Sequence, residues 1–379
     1  MKIVADKTKL LAALTVVASV AMRKSPIDVL TCVLIDAKGE GIVVTGTDMD
    51  RRATCPVACR VEAPGVVAVS ADQQADSVGA LPDGCDIEMQ SDSDSGAVTV
   101  RAGRSRYVLA GRNPDDFPTW APDAFIASFD MAARDFERAL ATAAIAMSNE
   151  QSRYYLRGVY LVRPPEDDRL YAVATNGYIL AEVDMPAPDG SQDMGGVIVP
   201  DSTVHLLRKM AGKHSGDVTI QVCDTAIRVQ IGGVEILSKI IDGTFPDYGR
   251  IIPAGDMGNR LTVRSDEMTR VLGAVSVMLD GDEESSIKIT CAADETVVSN
   301  ARQLDGGQVA EVAMTDGTWT WTGAAEMRIG FNANYLRQIM AVAEDGEVDI
   351  SISSPAEATL VSGPALGRAR YVVMPMRVN

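Results

Sequence analysis

Three segments of the chain decide its fold. They read KTKLLAALTVVASVAM (residues 7–22), RDFERALATAAIAM (134–147) and DEMTRVLGAVSVM (266–278). Each has apolar residues at three- and four-residue spacing, which is the pattern of a helix with one buried face. The leucines at their centres, Leu14, Leu140 and Leu272, are 126 and 132 residues apart. The pattern therefore predicts three copies of one structural unit.

A second helix recurs at nearly the same interval. Asp72, Asp201 and Asn332 stand where helix N-caps are expected, 129 and 131 residues apart. The helices predicted after these residues are 73–81, 202–210 and 333–343. Strand-like alternation follows each of them, in the segments 86–109, 217–241 and 347–374. The expected fold class is α+β, with three similar domains that each have two helices packed on antiparallel sheets.

The repeat also decides the interpretation of the N-terminus. Lys2, Lys7 and Lys9 precede the apolar run 10–21, a combination that resembles a signal peptide. Because the same segment is the first copy of a repeated unit, we interpret it as an amphipathic helix. The expected domains are residues 1–122, 123–254 and 255–379.

Composition restricts the class of protein. The chain has 379 residues, 46% of them apolar, and a formal net charge of −17. This size and apolar content are not those of a disordered chain or a small disulfide scaffold. The acidic balance argues against a protein that coats nucleic acid by bulk charge, although a local basic surface remains compatible with it. The six irregularly spaced cysteines favour the cytoplasm, and no other apolar run approaches the ~20 residues of a membrane span.

Catalytic and metal-binding patterns are sparse. The only histidines, His205 and His214, have no partner in sequence that would form a nucleophilic triad or complete a zinc site with Cys55 and Cys59. The acidic run 280–284 lacks the ligand spacing of a calcium loop. We therefore predict no catalytic residue, no metal and no cofactor. Two alternatives stay open at this point: a metal-dependent enzyme that uses the acidic clusters, and a repeat-built binding protein with no role on DNA.

Four motifs carry a resemblance to a known family. They are SNEQSRYYLRG (148–158), YAVATNGYILA (171–181), FPDY (245–248) and YVVMPMR (371–377). In this order, and together with the N-terminal and Arg104–Tyr107 segments, they resemble the bacterial DNA polymerase III β sliding clamps over the whole chain. The resemblance implies a DNA clamp fold and a head-to-tail homodimer that forms a ring with helices lining its hole.

The resemblance also implies a function without catalysis. A family member encircles duplex DNA without sequence preference and confers processivity by tethering the replicative DNA polymerase to the template. The expected partners are double-stranded DNA, a second copy of the chain, the replicative polymerase, clamp-loader subunits, repair polymerases and mismatch-repair proteins, and no membrane.

Site residues follow from the resemblance by position. The groove that binds partner peptides is expected at Leu156, Thr175, Gly177, Tyr178, Leu180, Pro246, Arg250, Ile251, Tyr335, Val372, Met374, Pro375, Met376 and Arg377. The expected DNA-facing residues are Arg23, Lys24, Arg104, Arg153, Tyr154, Tyr155, Arg208 and Lys209. The expected dimer contacts are Tyr107 and Leu109 on one side and Met278 and Leu279 on the other.

The sequence departs from the family pattern at two places. Asn176 and Ile179 replace the Asp and Arg of the usual Thr-Asp-Gly-x-Arg-Leu pattern, a change that bears on peptide preference. Asp201–Ser202 and the run 280–284 replace segments that are often more basic, so we expect fewer DNA contacts there. The tyrosine pair 154–155 is open to two interpretations, DNA contact and core packing.

Overall fold

The helices of the computed structural model follow the predicted repeat. The structure describes residues 1–92, 96–255, 257–277, 279, 285–301, 309–323 and 325–378. Within these ranges the α-helices are α1 Lys7–Ala18, α2 Ala71–Gly79, α3 Ala133–Ala144, α4 Asp201–Ala211, α5 Ser265–Ser276 and α6 Ala333–Val342. They fall two to each copy, which confirms the predicted pairs of helices. None of these described helices is long and apolar enough to cross a membrane.

The N-caps of the second helices are only partly as predicted. Asn332 caps α6, because its side chain accepts a hydrogen bond from the backbone N–H of Asn334. The prediction of Asp72 was wrong: Ser70 caps α2, and Asp72 lies in the first turn of that helix. Asp201 is the first residue of α4. A carboxylate in the first turn still interacts favourably with the helix dipole, so its sequence signal resembles that of a cap.

The strands occupy the segments between these helices. Those of the first third are β1 Lys2–Asp6, β2 Cys32–Lys38, β3 Gly41–Thr47, β4 Arg51–Ala58, β5 Arg60–Ala63, β6 Gly65–Ser70, β7 Asp86–Ser91, β8 Val98–Ala102, β9 Ser105–Leu109 and β10 Gly111–Arg112. Those of the middle third are β11 Ala127–Ala132, β12 Gly158–Val162, β13 Arg169–Thr175, β14 Ile179–Pro186, β15 Gly196–Pro200, β16 Asp217–Val222, β17 Ala226–Ile231 and β18 Val234–Lys239. Those of the last third are β19 Asn259–Arg264, β20 Ser286–Cys291, β21 Thr296–Asn300, β22 Glu311–Ala313, β23 Trp319–Trp321, β24 Met327–Asn332, β25 Glu347–Ile352, β26 Thr359–Ser362 and β27 Ala369–Val373.

Backbone contacts divide the chain into two compact units. One consists of 1–134, 189–193 and 209–240, and the other of 135–188, 194–208 and 241–379. The first unit has a five-stranded sheet, β5-β1-β7-β8-β9, and a nine-stranded sheet, β10-β6-β2-β3-β4-β18-β17-β16-β11. In the larger sheet β4 of the first copy pairs with β18 of the second, and Arg52 forms an ion pair with Glu235 at 3.2 Å across this boundary. The two copies therefore share one sheet.

The second unit repeats this arrangement. Its nine-stranded sheet has the order β15-β12-β13-β14-β27-β26-β25-β19-β23, and its four-stranded sheet has the order β22-β21-β20-β24. The copies meet where β14 pairs with β27, with Ala181 opposite Tyr371. Here the guanidinium of Arg370 lies 2.5 Å from the carboxylate of Glu182. Glu182 is only 4% exposed. All the described strand pairings within these sheets are antiparallel, as predicted.

The helices bury the apolar face that their periodicity predicts. In α1 this face consists of Leu10, Leu14 and Val17, which are fully buried. The helix packs closely on its sheet, since a Cβ placed on Gly46 would lie 2.2 Å from the carbonyl oxygen of Val17. Glycine in β3 is what permits this approach. The segment taken as a possible signal peptide is thus a core element of the first copy.

One buried carboxylate on α5 makes stability depend on pH. Glu267 accepts two hydrogen bonds from Arg270, at 2.8 and 2.7 Å, and a third from the backbone N–H of Thr315 at 2.6 Å. The bonds from Arg270 are the main cause that lowers its pKa from 4.5 to about 2. A carboxyl whose pKa is lower in the folded state stabilises the fold above its unfolded pKa. That contribution is lost as the pH falls from about 4.5 through 2.

We expect Glu267→Gln to lower the free energy of unfolding by up to about 3 kcal/mol at pH 7, and by much less at pH 2.5. Urea unfolding at several pH values measures the difference between the variant and the wild type. Glu326→Gln is the matched control, because Glu326 forms an ion pair with Arg328 on the surface of the same copy. Its effect should stay within about 0.5 kcal/mol. A difference between Glu267→Gln and wild type that does not change with pH would contradict this assignment.

Candidate functional site

Several of the predicted groove residues belong to one apolar cluster in the second unit. Leu156, Leu180 and Val372 are buried together, and Phe245 and Tyr248 pack with them. These residues come from the short helical turn before β12, from β14, from β27 and from the FPDY segment. The β14–β27 pairing places Leu180 directly opposite Val372. The predicted buried members of the site are thus brought together by the sheet that joins the second and third copies.

A tight turn between β13 and β14 supplies the next part of the site. Thr175 donates its hydroxyl hydrogen to the carbonyl of Ile179 at 2.8 Å and accepts the N–H of Gly177 at 3.1 Å. The side-chain oxygen of Asn176 accepts the N–H groups of Tyr178 and Ile179 at 2.9 and 3.0 Å. Gly177 has φ +91°, a conformation that side chains disfavour. The turn therefore holds its backbone rigidly while the side chain of Tyr178 extends into solvent.

Exposed apolar side chains gather around this turn. Tyr178 is 56% exposed and Met374 is 40% exposed, and the N–H of Met374 donates to the carbonyl of Tyr178 at 2.9 Å. Ile251, which follows the FPDY segment, is also exposed. Large apolar groups that remain in water beside a buried apolar cluster are typical of a surface that binds a partner.

The remaining predicted members surround this patch. Tyr335 of α6 accepts a hydrogen bond from the side-chain amide of Asn176 at 3.4 Å. Burial raises the pKa of the Tyr335 phenol, so its own O–H stays available as a donor. Arg250 forms an exposed ion pair with Asp247 at 2.6 Å. Half-buried or exposed positions in the same segments are occupied by Pro246, Pro375, Met376 and Arg377.

The first copy contains a charged version of the same turn. Thr47 and Asp48 make the backbone contacts that Thr175 and Asn176 make in the second copy. Arg51 additionally donates two hydrogen bonds to the Asp48 carboxylate, at 3.0 and 2.7 Å. In this motif the Arg therefore stabilises the turn by binding the Asp carboxylate that accepts the backbone N–H groups.

That comparison explains the departure from the family pattern in the second copy. Asn176 keeps the acceptor that the backbone needs, and Ile179 is buried in place of the cation. Both charges are absent together, so neither is left without its partner. The turn therefore retains its backbone hydrogen bonds without a charged pair.

The predicted DNA-facing residues occupy different settings. Arg23 and Lys24 are exposed after α1. Arg23 and Lys209 line a cleft of 680 Å³ beside α1 and α2, together with Asp72 and Asp76. These two carboxylates reduce the positive charge of the cleft.

The other predicted DNA-facing residues are partly engaged within the chain. Arg208 lies 3.8 Å from the carboxylate of Glu137, and Arg153 lies 3.2 Å from that of Glu150. Arg104 is exposed in the turn between β8 and β9, outside the helices. The two tyrosines differ in burial, and a DNA contact of Tyr154 stays a prediction. Tyr155 packs on the groove cluster, whereas Tyr154 is exposed.

The predicted dimer contacts lie on β9 and after α5. Tyr107 is 37% exposed, whereas Leu109 is only 8% exposed and is therefore already buried within the single chain. Met278 lies outside the described residues, and Leu279 is half-buried. Sequence reasoning did not identify Val108, which is exposed on β9, or Val277, which is 78% exposed after α5.

Two further observations bear on the alternative functions. In the ranges given above, no group of three or more His, Cys, Asp or Glu side chains could hold a metal ion. The acidic run 280–284 lies outside those ranges. All six cysteines are free.

Sequence reasoning also missed two internal repeats that a direct comparison of the copies would reveal. GRSRYV at 103–108 is nearly repeated by GRARYV at 367–372, and AEVDM at 181–185 by AEVAM at 310–314. AEVDM and GRARYV lie on β14 and β27, which pair at the boundary between the second and third copies, whereas GRSRYV and AEVAM lie at β9 and β22, which are edge strands of their sheets.

Comparisons with known proteins identify the family. Family models of the DNA polymerase III beta subunit match the chain over its N-terminal domain at 1–121, its central domain at 130–247 and its C-terminal domain at 249–377. The chain is 31% identical over 380 residues to the "Beta sliding clamp" of Caulobacter vibrioides, with 100% of both chains covered.

Solved structures agree with this match over the full length. A DnaN sliding clamp from Bartonella birtlesii bound to griselimycin has a TM-score of 0.92 at 32% identity, and 100% of both chains is covered. The DNA polymerase sliding clamp from Caulobacter crescentus has a TM-score of 0.91 at 30% identity, again over 100% of both chains. The three-domain α+β clamp fold is thereby confirmed, and the enzyme alternative is excluded. The chain belongs to the DNA polymerase III beta subunit family and is a DNA sliding clamp, a non-catalytic processivity factor of replication.

Proposed function

We propose that two copies of this chain close head to tail into a ring around duplex DNA and tether the replicative polymerase to it. The observation that carries this proposal is a repeated strand order. The sheets contain β1-β7-β8-β9, β11-β16-β17-β18 and β19-β25-β26-β27 as three versions of one four-strand order. They contain β6-β2-β3-β4, β15-β12-β13-β14 and β24-β20-β21-β22 as three versions of another.

Within the chain, two boundaries join an edge of the first kind to an edge of the second kind. These are the pairings of β18 with β4 and of β27 with β14. The third edge of the first kind is β9, and the third edge of the second kind is β22. Among the described residues each of these strands is paired on one side only, so its outer edge is open. Pairing β9 of one chain with β22 of a second chain completes the series. A heterologous contact that repeats either closes into a ring or forms a filament, and we propose that this one closes after two chains.

The side chains on these edges support the same pairing. Arg106 on β9 has the position that Arg370 has on β27, within the repeated GR-x-RYV motif. Glu311 on β22 has the position of Glu182 on β14, within the repeated AEV motif. Glu182 lies opposite Val173 on β13, and Glu311 lies opposite Ser299 on β21. Val173 and Ser299 hold equivalent places, because each lies opposite the third residue of the next strand, Tyr160 on β12 and Lys288 on β20. We infer that Arg106 and Glu311 form an ion pair between subunits, as Arg370 and Glu182 do within the chain.

The monomer leaves positive charge on the β9 edge. Arg101 and Arg106 lie directly opposite each other on β8 and β9, an arrangement that is unfavourable for like charges. In the described part of the chain no carboxylate lies within ion-pair distance of Arg106. A partner edge that carries Glu311 would neutralise this charge. We propose that Tyr107, Val108 and Val277 add apolar contact at the same interface, with Leu109, Met278 and Leu279 beside them.

The proposed DNA contacts are weak and independent of sequence. Arg23, Lys24, Arg153 and Lys209 would contact phosphates, as would Arg104, Tyr154 and Arg208 among the other predicted residues. Asp72 and Asp76 beside Lys209 would keep these contacts few. Because each phosphate contact steepens the salt dependence of binding, few contacts leave a clamp free to slide. Retention then depends on the closed ring.

The groove defined above is the proposed site for polymerases and other partners. Flexible Met374 and Met376 beside aliphatic residues can accept apolar peptide anchors of varied shape. We propose that replicative and repair polymerases, clamp-loader subunits and mismatch-repair proteins bind here, and that griselimycin does so as well. We also propose a cytoplasmic location, for which the six free cysteines are the support.

The ring is tested by topology. A clamp loader and ATP load the clamp onto nicked circular DNA, and gel filtration then removes the unbound protein. A restriction enzyme linearises the DNA, and the amount of clamp that stays on it is measured over time. We expect retention on the circle and rapid loss from the linear product, and blocks bound at both ends should restore retention. Equal loss from circular and linear DNA would contradict the proposal.

A further inference from the structure

The C-terminal tail after β27 is held by two backbone hydrogen bonds. The N–H of Met374 donates to the carbonyl of Tyr178 at 2.9 Å, and the N–H of Met376 donates to the carbonyl of Gly330 at 2.8 Å. Pro375, between them, has no N–H and a fixed φ. Gly330 and Met376 form an isolated antiparallel bridge. The tail thus reaches from the turn of the second copy to β24, an edge strand of the third.

The contact at β24 requires glycine. A Cβ placed on Gly330 would lie 2.5 Å from the carbonyl oxygen of Met376 and 2.3 Å from Cγ1 of Val378. The first of these atoms belongs to the backbone, so the clash is relieved only if the tail moves. The φ of Gly330 is not positive, and alanine would therefore fit this strand conformation if the tail were absent. Close approach of the tail is the reason for a glycine here.

We propose that Gly330 is a positioning residue for partner binding: it seats the tail so that Met374 and Met376 are held at the groove. Gly330 lies on β24, outside the predicted groove residues, and acts through the tail. This inference rests on the proposed function of the groove. Without the contact between Met376 and Gly330, the residues after Pro375 are attached to the fold only through β27. A ligand then has to order the tail before the methionines can contact it, and affinity falls.

The test is a four-protein cycle titrated with griselimycin. The proteins are the wild type, Gly330→Ala, a chain that ends at Met374, and the combination of the last two. We expect Gly330→Ala to weaken binding about tenfold and the truncation to weaken it at least as much. In the truncated chain Gly330→Ala should change the affinity by less than twofold, because the tail that it displaces is missing.

Controls separate positioning from general damage to the fold. Gly273→Ala makes the same substitution on α5 of the third copy, where an added Cβ meets no atom within 4 Å, and should bind griselimycin like the wild type. All variants should remain dimeric by sedimentation velocity. In Gly330→Ala, hydrogen exchange at the amide of Met376 should become faster, while exchange in β24 stays slow.

Each contrary outcome has a distinct meaning. If Gly330→Ala binds griselimycin like the wild type, Gly330 does not position the tail for binding. If it weakens binding equally in full-length and truncated chains, it acts through the sheet and the inference is overturned. If the wild type itself does not bind griselimycin, the proposed groove fails for this ligand. The exchange rate at Met376 then still decides whether Gly330 seats the tail, and an unchanged rate overturns that claim.

Discussion

Reversal of charge at Arg106 (Arg106→Glu) is expected to weaken the dimer about 10,000-fold. The substitution removes the proposed ion pair with Glu311 of the second chain and places two carboxylates together at the interface. Loss of one partner of a desolvated ion pair costs about 3 kcal/mol. The ring has two such contacts, so the combined loss is about 6 kcal/mol, which corresponds to that factor. The dimer dissociation constant, measured by analytical ultracentrifugation over a concentration series, gives the result directly.

The complementary substitution makes the test specific. Glu311→Arg alone should weaken the dimer similarly, and the double variant Arg106→Glu with Glu311→Arg should regain most of the lost affinity. Arg104→Glu is the matched control. Its counterpart Arg368 pairs with Asp184 at 3.1 Å, but the repeat places Ala313 where Asp184 would be, so no acid is expected opposite Arg104. If the double variant is as weak as the sum of the single variants, the two side chains do not meet.

Truncation of both tail methionines, Met374→Ala with Met376→Ala, is expected to weaken griselimycin binding about 100-fold. Full burial of a methionine side chain contributes about 1.5–3 kcal/mol, and both side chains are only partly buried in the free chain. The combined loss should therefore be about 3 kcal/mol, measured by isothermal titration calorimetry. The dimer should be unaffected.

Two control variants isolate the effect of the groove. Met374→Leu with Met376→Leu keeps the apolar volume and should bind griselimycin within a few-fold of the wild type. Met22→Ala removes an exposed methionine elsewhere on the chain and should change nothing. Affinity unchanged in the double alanine variant would show that the ligand does not contact the tail.

The repeat was readable from the sequence because helical periodicity is local. Leu14, Leu140 and Leu272 lie on buried helix faces, and the spacing of apolar residues within each helix is enough to predict its face. The pairing of β4 with β18 was not readable, since Arg52 and Glu235 are 183 residues apart and no local signal links them. The expected domain bounds at 122 and 254 remain a prediction.

The candidate site was predicted by resemblance and only in part by chemistry. Nothing in the composition of the segment around Leu156 or Thr175 distinguishes a groove residue from an ordinary core residue, and both are in fact buried. The exposure of Tyr178 depends on the turn that Thr175 and Asn176 hold, which is a property of the folded chain. The role of Gly330 was invisible for the same reason, because it depends on a tail 46 residues further along.

The shared sheets have a consequence for the order of events during synthesis. β4 is made early but cannot find its partner until β18, at residues 234–239, has left the ribosome. β14 waits in the same way for β27, at residues 369–373. Each nascent copy therefore presents an unpaired strand edge while the next copy is translated, a state that favours pairing with other chains. A chain that stops a few residues short of Val373 would leave the edge of β14 exposed, so the segment 369–376 completes a sheet as well as the proposed groove.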